Sequence, residues 1–524
     1  MHTAVERLPG VSRLEALDPL NPTIAALVCL TAIGFAFRLA GLGESLFGDE
    51  LFTYEVATPP SITAVVEGVM SDLEITPPLY FVLAWGASKL GSASEWLRLP
   101  SLIAGTAAIP LVYALGVKTL HRGAALIAAA LVALSPFMIF FSTEARAYAL
   151  MTSLVMLSTI ALLRALEGGG RRWWVAFVAF AAAALYAHYT AVFMLFAQAV
   201  WALWQHRERS RQVVIAHAAV LTAFLPWLPG LVDDTDAVGI EAIGAYETFD
   251  LLTAVRNLLR WSVGGSLVNV RTLPGEAALV VLALAAAAAF AGAIVLARRR
   301  QTWARLHLSS RTKLVVLQAA AAPAGAAVVS AVGSDLFAAR NFAASWPALA
   351  LLAGAVLTSL PRHFAYAAAV LGIASFALGA IETLDPDTGR PPYADAAALV
   401  DRLGGPGDPV LEVPLIRLAA TAPPGRALEV NLERPHELFK VAVEDGERRA
   451  LAAAAGGRLL VVQPATEPQE GVPLGLGRSP LPQLDDSFRL ESATTLPGLV
   501  PIEVLVYASV PSEGARRAAP APSR

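Results

Sequence analysis

One cysteine, Cys29, is all that 524 residues contain. That excludes a disulfide framework and a thiolate metal cluster. Charge is scarce as well: Asp, Glu, Lys and Arg make up 15% of the chain, against roughly 25% in an average soluble protein. With a net charge of −3 and a pI near 6.3 there is no basic face or stripe to hold a nucleic acid. The phosphate-cradling G-x-x-x-x-G-K-S/T, H-E-x-x-H, G-x-S-x-G and a dinucleotide fingerprint are all missing. Cytosolic nucleotide hydrolysis is therefore not expected to drive this protein.

What the chain has in quantity is apolar sequence: 56% hydrophobic residues and a mean hydropathy of +0.58. Most of it falls in runs of the length needed to cross a bilayer, about 20 residues. The first run, 25–43, follows a polar start bearing Arg7 and Arg13, is longer than a signal-peptide core and lacks an A-x-A cleavage site. It reads as a retained span entered from the cytoplasm. Further runs cover about 99–115, 124–141, 147–163, 173–187, 189–204, 213–231, 277–297, 314–332, 342–360 and 364–381, which predicts about eleven transmembrane helices.

A twelfth candidate, 77–90, is apolar but short, and the bases in the loops test it. If it stays on the outer side, the inner loops hold Lys118 and Arg122, Arg164, Arg171 and Arg172, Arg207, Arg209 and Arg211, the Arg-rich stretch 298–313 and Arg362. If it crosses, these clusters face outward. It is therefore read as a juxtamembrane helix that rejoins the outer surface. The first outer loop, 44–75, carries seven acids (Glu44, Asp49, Glu50, Glu55, Glu67, Asp72, Glu74) and no lysine or arginine. Within it Ile62, Val65, Val66, Val69, Met70 and Leu73 recur at helical spacing, the pattern of an amphipathic helix lying in the interface.

After residue 381 the composition changes to a Pro/Gly-punctuated, mostly soluble stretch. A helix is predicted over 393–403 and strands over 410–413, 458–462 and 502–507, hence a small α/β domain on the outer face. The expected organisation is a transmembrane catalytic unit over 1–382, its first outer loop with juxtamembrane helices over 44–97, an extracytoplasmic α/β domain over 383–512, and a disordered tail over 513–524. The expected setting is the cell membrane, multi-pass, with a cytoplasmic N-terminus.

Chemistry is left to polar groups at the outer ends of spans. Asp49 and Glu50 lie just beyond the first span, which bears Arg38 near its outer end. On position alone such a pair is solvated surface, but Leu46, Phe47, Leu51 and Phe52 flank it, and a carboxylate held against apolar surroundings gains basicity. Such a base can take a proton from a hydroxyl, an effect worth roughly 10²–10⁴ in rate. Arg98 starts the second span; it reads either as an interfacial anchor or as a guanidinium fork for a lipid-linked phosphate. Glu144, Arg146 and Tyr148 mark the next outer turn, where the first two could simply pair. His188 and Tyr189 occupy another, and Arg340-Asn341 opens a further span. A purely structural bundle has no need of polar groups at so many outer turns.

Taken in order, Asp49-Glu50, Pro77-Pro78-Leu79-Tyr80, Leu97-Arg98-Leu99-Pro100-Ser101, Ser135-Pro136, the string from Ser142 through Glu144 and Arg146 to Tyr148, and His188-Tyr189 resemble the polyprenyl-phosphate-dependent glycosyltransferases. The resemblance is to the bacterial family 39 group, with protein O-mannosyltransferases and the lipid A aminoarabinose transferase. It covers about 25–381 and is densest over 38–190. It implies a membrane-embedded GT-C fold, a hexosyl or pentosyl donor on a polyprenyl phosphate, and transfer to a protein, lipid or glycan acceptor of the cell envelope. By position Asp49, with Glu50 beside it, matches the family's catalytic carboxylate. Arg98 matches an arginine at the start of the second span, and the 144–148 turn lies where the family has a polar cluster near the donor. The chain departs from the pattern at Thr76, where many relatives have histidine.

On this reading Asp49 is the base, Arg98, joined by Arg146 or Arg340, stabilises the departing phosphate, Tyr80, Tyr148, His188 and Tyr189 line the donor or acceptor, and attack opposite the phosphate inverts the anomeric centre. No full metal-ligand set is apparent; the acids leave room for Mg²⁺ or Mn²⁺ without calling for either. The main alternative is a polytopic transporter or lipid flippase. Against it, the chain shows no paired Gly/Pro-broken spans in matching halves, and its charges cluster on one face, away from the midplane. A scaffold would leave the acidic loop and the span-end arginines without a task.

Overall fold

The computed structural model describes residues 22–71, 74–235, 249–265, 268–298, 308–333, 336–405, 407–413, 426–441, 445–465, 484 and 487–510. Arg7 and Arg13, most of the Arg-rich stretch 298–313 and the tail 513–524, on which sequence expectations fall, lie outside the described residues.

The chain is a helical bundle with a sheet domain at one end. The bundle opens with α1 (Pro22–Ala40), followed by the short helices α2 (Asp49–Ala57), α3 (Ile62–Val69) and α4 (Leu79–Ser88). Then come α5 (Leu99–Thr119), α6 (Arg122–Leu134), α7 (Pro136–Ser142), α8 (Tyr148–Leu166), α9 (Arg171–Ala187) and α10 (Ala191–Gln205). Long helices over 207–234, 271–298, 310–331, 339–359 and 362–382 complete it. Among the described residues eight helices are long and apolar enough to span a membrane, or nine if α6 and α7, bent by 60° at Ser135-Pro136, form one span. The count of eleven read from the sequence differs at α9 and α10, which have 17 and 15 residues. Fifteen residues rise only about 22 Å, less than the roughly 30 Å of a hydrocarbon core. With 10 residues, or about 15 Å, α4 is shorter still, in keeping with its reading as a juxtamembrane helix.

The α6–α7 bend has a local cause and a distant support. Pro136 has no N–H to donate, so the carbonyl four residues back, that of Val132, loses its helical partner. Arg38 of α1, fully buried, donates to the carbonyls of Val132 (3.0 Å) and Ala133 (3.1 Å) and to Ser142 Oγ (3.0 Å). Ser135 caps the helix that restarts, accepting from the Met138 N–H. Close packing seals the joint: a Cβ on Gly105 of α5 would stand 1.9 Å from Ser142 Oγ. Between helices in lipid, small residues of this kind supply contact where water-driven burial supplies little.

The sheet domain contains β1 (Pro409–Glu412), β2 (Glu437–Lys440), β3 (Arg458–Pro464), β4 (Phe488–Leu496) and β5 (Ile502–Ser509) in the order β2-β1-β3-β5-β4. β1 pairs parallel with β2 and β3, and β5 pairs antiparallel with β3 and β4. The helix Tyr393–Leu403 forms where the sequence placed it and packs its apolar face on this sheet. Phe47 and Leu51, from the first loop, pack against the same core, and Ser45 Oγ accepts from the Ala394 N–H at 2.7 Å. The domain is thus seated directly on the 44–57 segment.

A candidate active site of paired carboxylates and arginines

The first loop turns into α2 at Gly48, whose φ of +59° only glycine adopts readily. This turn places Asp49 and Glu50 side by side in the first turn of α2, yet in opposite surroundings. Glu50 is fully buried. It accepts a two-pronged ion pair from Arg98, Nε to Oε1 at 2.7 Å and Nη2 to Oε2 at 2.6 Å. The Ala145 N–H donates at 2.7 Å, and Arg390 Nε lies 3.3 Å away. Burial alone would raise its pKa, but the charges of Arg98 and Arg390, with the hydrogen bonds, hold it below the usual carboxylate range. Glu50 is therefore a fixed anion. Asp49 is partly exposed, with Oδ2 3.6 Å from Nη1 of Arg340, itself partly exposed.

Arg98 is committed within the fold. Its remaining N–H groups go to the carbonyls of Leu42 (2.8 Å), Glu44 and Ser45 (2.9 Å). All five guanidinium N–H groups are thus committed and the side chain is fully buried, leaving none for a phosphate. Arg146 is clamped by Glu74, Nη1 to Oε2 at 2.5 Å and Nη2 to Oε1 at 2.9 Å, while Thr53 accepts at 3.4 Å. Thr76 Oγ1 donates to the same Glu74 carboxylate at 2.8 Å. The residue that stands in place of a histidine thereby holds the carboxylate that holds Arg146. Burial would lower the Arg146 pKa, but Glu74 and Asp49 outweigh it and raise it.

In the 143–147 turn, Thr143 offers its carbonyl to Arg390 at 3.1 Å and Ala145 its N–H to Glu50. Between them Glu144 turns a buried Oε2 toward no hydrogen-bond partner. Burial, then the neighbouring charges of Glu50 and Asp49, push its pKa up to about 8 against the opposing pull of Arg390 and Arg146. Tyr148 begins α8 with its ring 5.0 Å from that of His188. Burial, with Arg146 and Arg340 nearby, lowers the His188 pKa to about 3, so its imidazole is neutral. Nδ1 of His188 lies 2.9 Å from Thr190 Oγ1.

The structure thus gathers Asp49, Glu50, Glu144, Arg146, Tyr148, His188 and Arg340 at the domain-bearing end. Two predicted residues sit differently. Tyr80 is buried, donating to the Leu97 carbonyl at 3.0 Å and accepting from Ser101 at 2.9 Å, so it fixes the approach to Arg98. Tyr189 donates to Asp234 and accepts from Trp227 Nε1 at 2.9 Å. Arg390 and Glu74 were not singled out from the sequence. Arg390 also pairs with Glu44 at 2.6 Å and lies over the Phe140 ring. Its only sequence signal is a lone arginine just after the last span, ahead of Pro391-Pro392. Among the described residues no group of three or more His, Cys, Asp or Glu is arranged to hold a metal ion.

A membrane bundle with an ion-paired polar site at one end, capped by a soluble domain, is the class of protein these features define. Residues 76–232 match the model of the family described as dolichyl-phosphate-mannose-protein mannosyltransferase. The matched segment includes Arg98, Glu144, Arg146, Tyr148, His188 and Tyr189. It bears out the resemblance to the protein O-mannosyltransferases and the transferase class, and it does not favour the transporter alternative. No curated protein matches the chain. Among solved structures, the chain is similar to ArnT from Cupriavidus metallidurans bound to undecaprenyl phosphate (14% identity, 93% of this chain and 98% of that one, TM-score 0.49). It is also similar to the oligosaccharyltransferase AglB from Archaeoglobus fulgidus in complex with an inhibitory peptide and a dolichol-phosphate (14%, 85% and 69%, 0.48). A third is the arabinosyltransferase EmbB from Mycobacterium smegmatis (16%, 76% and 33%, 0.37).

Proposed function

We propose that this protein transfers a sugar from a polyprenyl-phosphate donor to an acceptor hydroxyl at the extracytoplasmic membrane boundary, with inversion at the anomeric carbon. The observation that carries this reading is the placement of Asp49, a partly exposed carboxylate, 3.6 Å from the partly exposed Arg340 at the end of the bundle. Asp49 takes the acceptor proton. Arg340 meets the phosphate, whose negative charge grows as the C1–O bond breaks. Glu50, Arg98, Glu74, Arg146 and Arg390 position these two, since their charges are spent on one another. The phosphate is met by a guanidinium in this reading.

The orientation rests on charge. Lys118, Arg122, Arg164, Arg171, Arg172, Arg207, Arg209, Arg211, Arg311, Lys313 and Arg362 all sit on turns or helix ends away from the site, the cytoplasmic signature. In this reading the site and the sheet domain face outward, with 1–382 as the catalytic unit and 383–512 as the domain that helps shape the acceptor side; the charge pattern supports it. The test is transfer by purified protein in nanodiscs. A polyprenyl-monophosphate sugar should be used or slowly hydrolysed, and the matching nucleotide sugar ignored. Turnover with the nucleotide sugar in the absence of any lipid carrier would overturn the assignment.

A further inference from the structure

Four arginines stand in the site, and each has a carboxylate partner within 4 Å: Arg98 with Glu50, Arg146 with Glu74, Arg340 with Asp49, Arg390 with Glu44 and Glu50. Glu44, Asp49, Glu50 and Glu74 thereby match the four cations. Glu144 is a fifth carboxyl group with no contact ion pair, and its Oε2 is buried without a hydrogen-bond partner. An ionised carboxylate in that position would have an orphaned acceptor beside two like charges, a costly state that protonation relieves. The turn is tied down on both sides of Glu144: Arg390 holds the carbonyl before it and Glu50 the N–H after it.

We infer that Glu144 is a neutral carboxylic acid in the resting site and is the proton donor to the leaving phosphate. The inference rests on the glycosyl-transfer reading above. In the step, the acceptor oxygen bonds to C1 as its proton passes to Asp49. The bond from C1 to the phosphate oxygen breaks with its electron pair going to the phosphate, and the Glu144 proton passes to that phosphate. The polyprenyl phosphate departs as a monoanion, Asp49 is left protonated and Glu144 ionised. Return of one proton from Asp49 to Glu144 resets the site, and no other reactant is required. The charged groups facing Glu144 are Asp49 and Glu50 from α2, Arg146 from its own turn, and Arg390 from the segment after the last span. Of these, Asp49 is the one that carries a proton after the transfer.

The test is Glu144→Gln, which keeps a hydrogen-bond donor and removes the transferable proton, compared with wild type for transfer from a polyprenyl-monophosphate sugar across pH 5–10. Wild type should lose activity as pH rises through about 8. The variant should be slower by about a hundredfold, as for a lost general acid, and should lack that alkaline limb. Its rate with a glycosyl fluoride, whose leaving group takes no proton from the enzyme, should recover most of the difference. A second measurement does not depend on catalysis: the wild-type minus Glu144→Gln infrared difference spectrum should show the carbonyl stretch of a protonated carboxylic acid at pH 7, fading above about pH 8. An ionised carboxylate band at pH 7, or an alkaline limb retained in the variant, overturns the inference. Absence of transfer by wild type, with the acid band present, counts against the glycosyl-transfer reading and leaves the protonation of Glu144 standing.

Discussion

Replacing Arg98 with lysine keeps a positive charge in the same place but reduces the donors from five N–H groups to three. The Arg98 guanidinium serves both oxygens of Glu50 and the carbonyls of Leu42, Glu44 and Ser45. At least two of these acceptors lose their partner, each bond to a charged donor being worth about 1.5–3 kcal/mol. The loss is thus about 3 kcal/mol or more. For a chain of this length, that lowers Tm by about 3–6 °C, taking half the 2–4 °C per kcal/mol typical of 150–250 residues. Arg98→Ala also breaks a fully buried ion pair, about 3–5 kcal/mol, and orphans three carbonyls, so the sum exceeds about 6 kcal/mol. That is comparable with the whole stability of many proteins, about 5–15 kcal/mol, and folded protein should fail to accumulate. Arg98→Met combined with Glu50→Met should recover part of the loss, since no charge is then left unpaired. The assays are thermal unfolding followed by tryptophan fluorescence, and donor binding by Arg98→Lys, whose Kd should change less than about threefold. An unchanged Tm with a tenfold weaker donor would refute the reasoning and return Arg98 to the phosphate.

Asp49→Asn should reduce turnover by at least about a hundredfold with little change in donor affinity, as expected for loss of a general base; near-normal turnover in the purified variant would make Asp49 ordinary surface. Chelation by EDTA should leave transfer unchanged, and recovery on adding Mg²⁺ or Mn²⁺ would place a cation in the reaction. Glu412, buried in the sheet domain with an unpartnered Oε2, has its pKa raised to about 7 by burial. The neutral form is favoured in the fold, so its stabilising effect is complete below the ordinary value of 4.5 and is lost as pH rises through about 7. Glu412→Gln should flatten the Tm-versus-pH curve over that window, and an unaltered slope would contradict the burial argument. Single cysteines at Ser61 and Glu208 in a Cys29→Ser background report orientation: in intact cells an impermeant thiol reagent should label the first and spare the second, and the reverse pattern would invert the bundle.

The sequence alone located the apolar segments of the bundle, because hydrocarbon demands long apolar runs whatever their neighbours do; that two of them, α9 and α10, form helices of only 17 and 15 residues was decided by the tertiary structure. The sequence also determined which short motifs stand at one end, and the helix 393–403, whose apolar face repeats at helical spacing. Strands β1, β3 and β5 were legible for the same reason: they are apolar and largely buried. β4 is exposed along nearly its whole length and β2 is a four-residue edge, so neither carries an apolar signal, and both exist through pairing with neighbours already in place. Within the site, the sequence named Asp49, Glu50, Arg98 and Glu144, and only the family resemblance set Asp49 apart as the base and gave Arg98 to the phosphate, since adjacent carboxylates look alike along a chain. Tertiary structure separated them by partners and burial. It brought Arg390 from 340 positions away in sequence onto Glu50 and set Thr76 behind Glu74 and Arg146. It also used up every donor of Arg98 inside the fold. Counter-charge is a property of three-dimensional neighbours, and in a low-dielectric setting it separates a carboxyl held as an anion, such as Glu50, from one left without a cationic contact, such as Glu144.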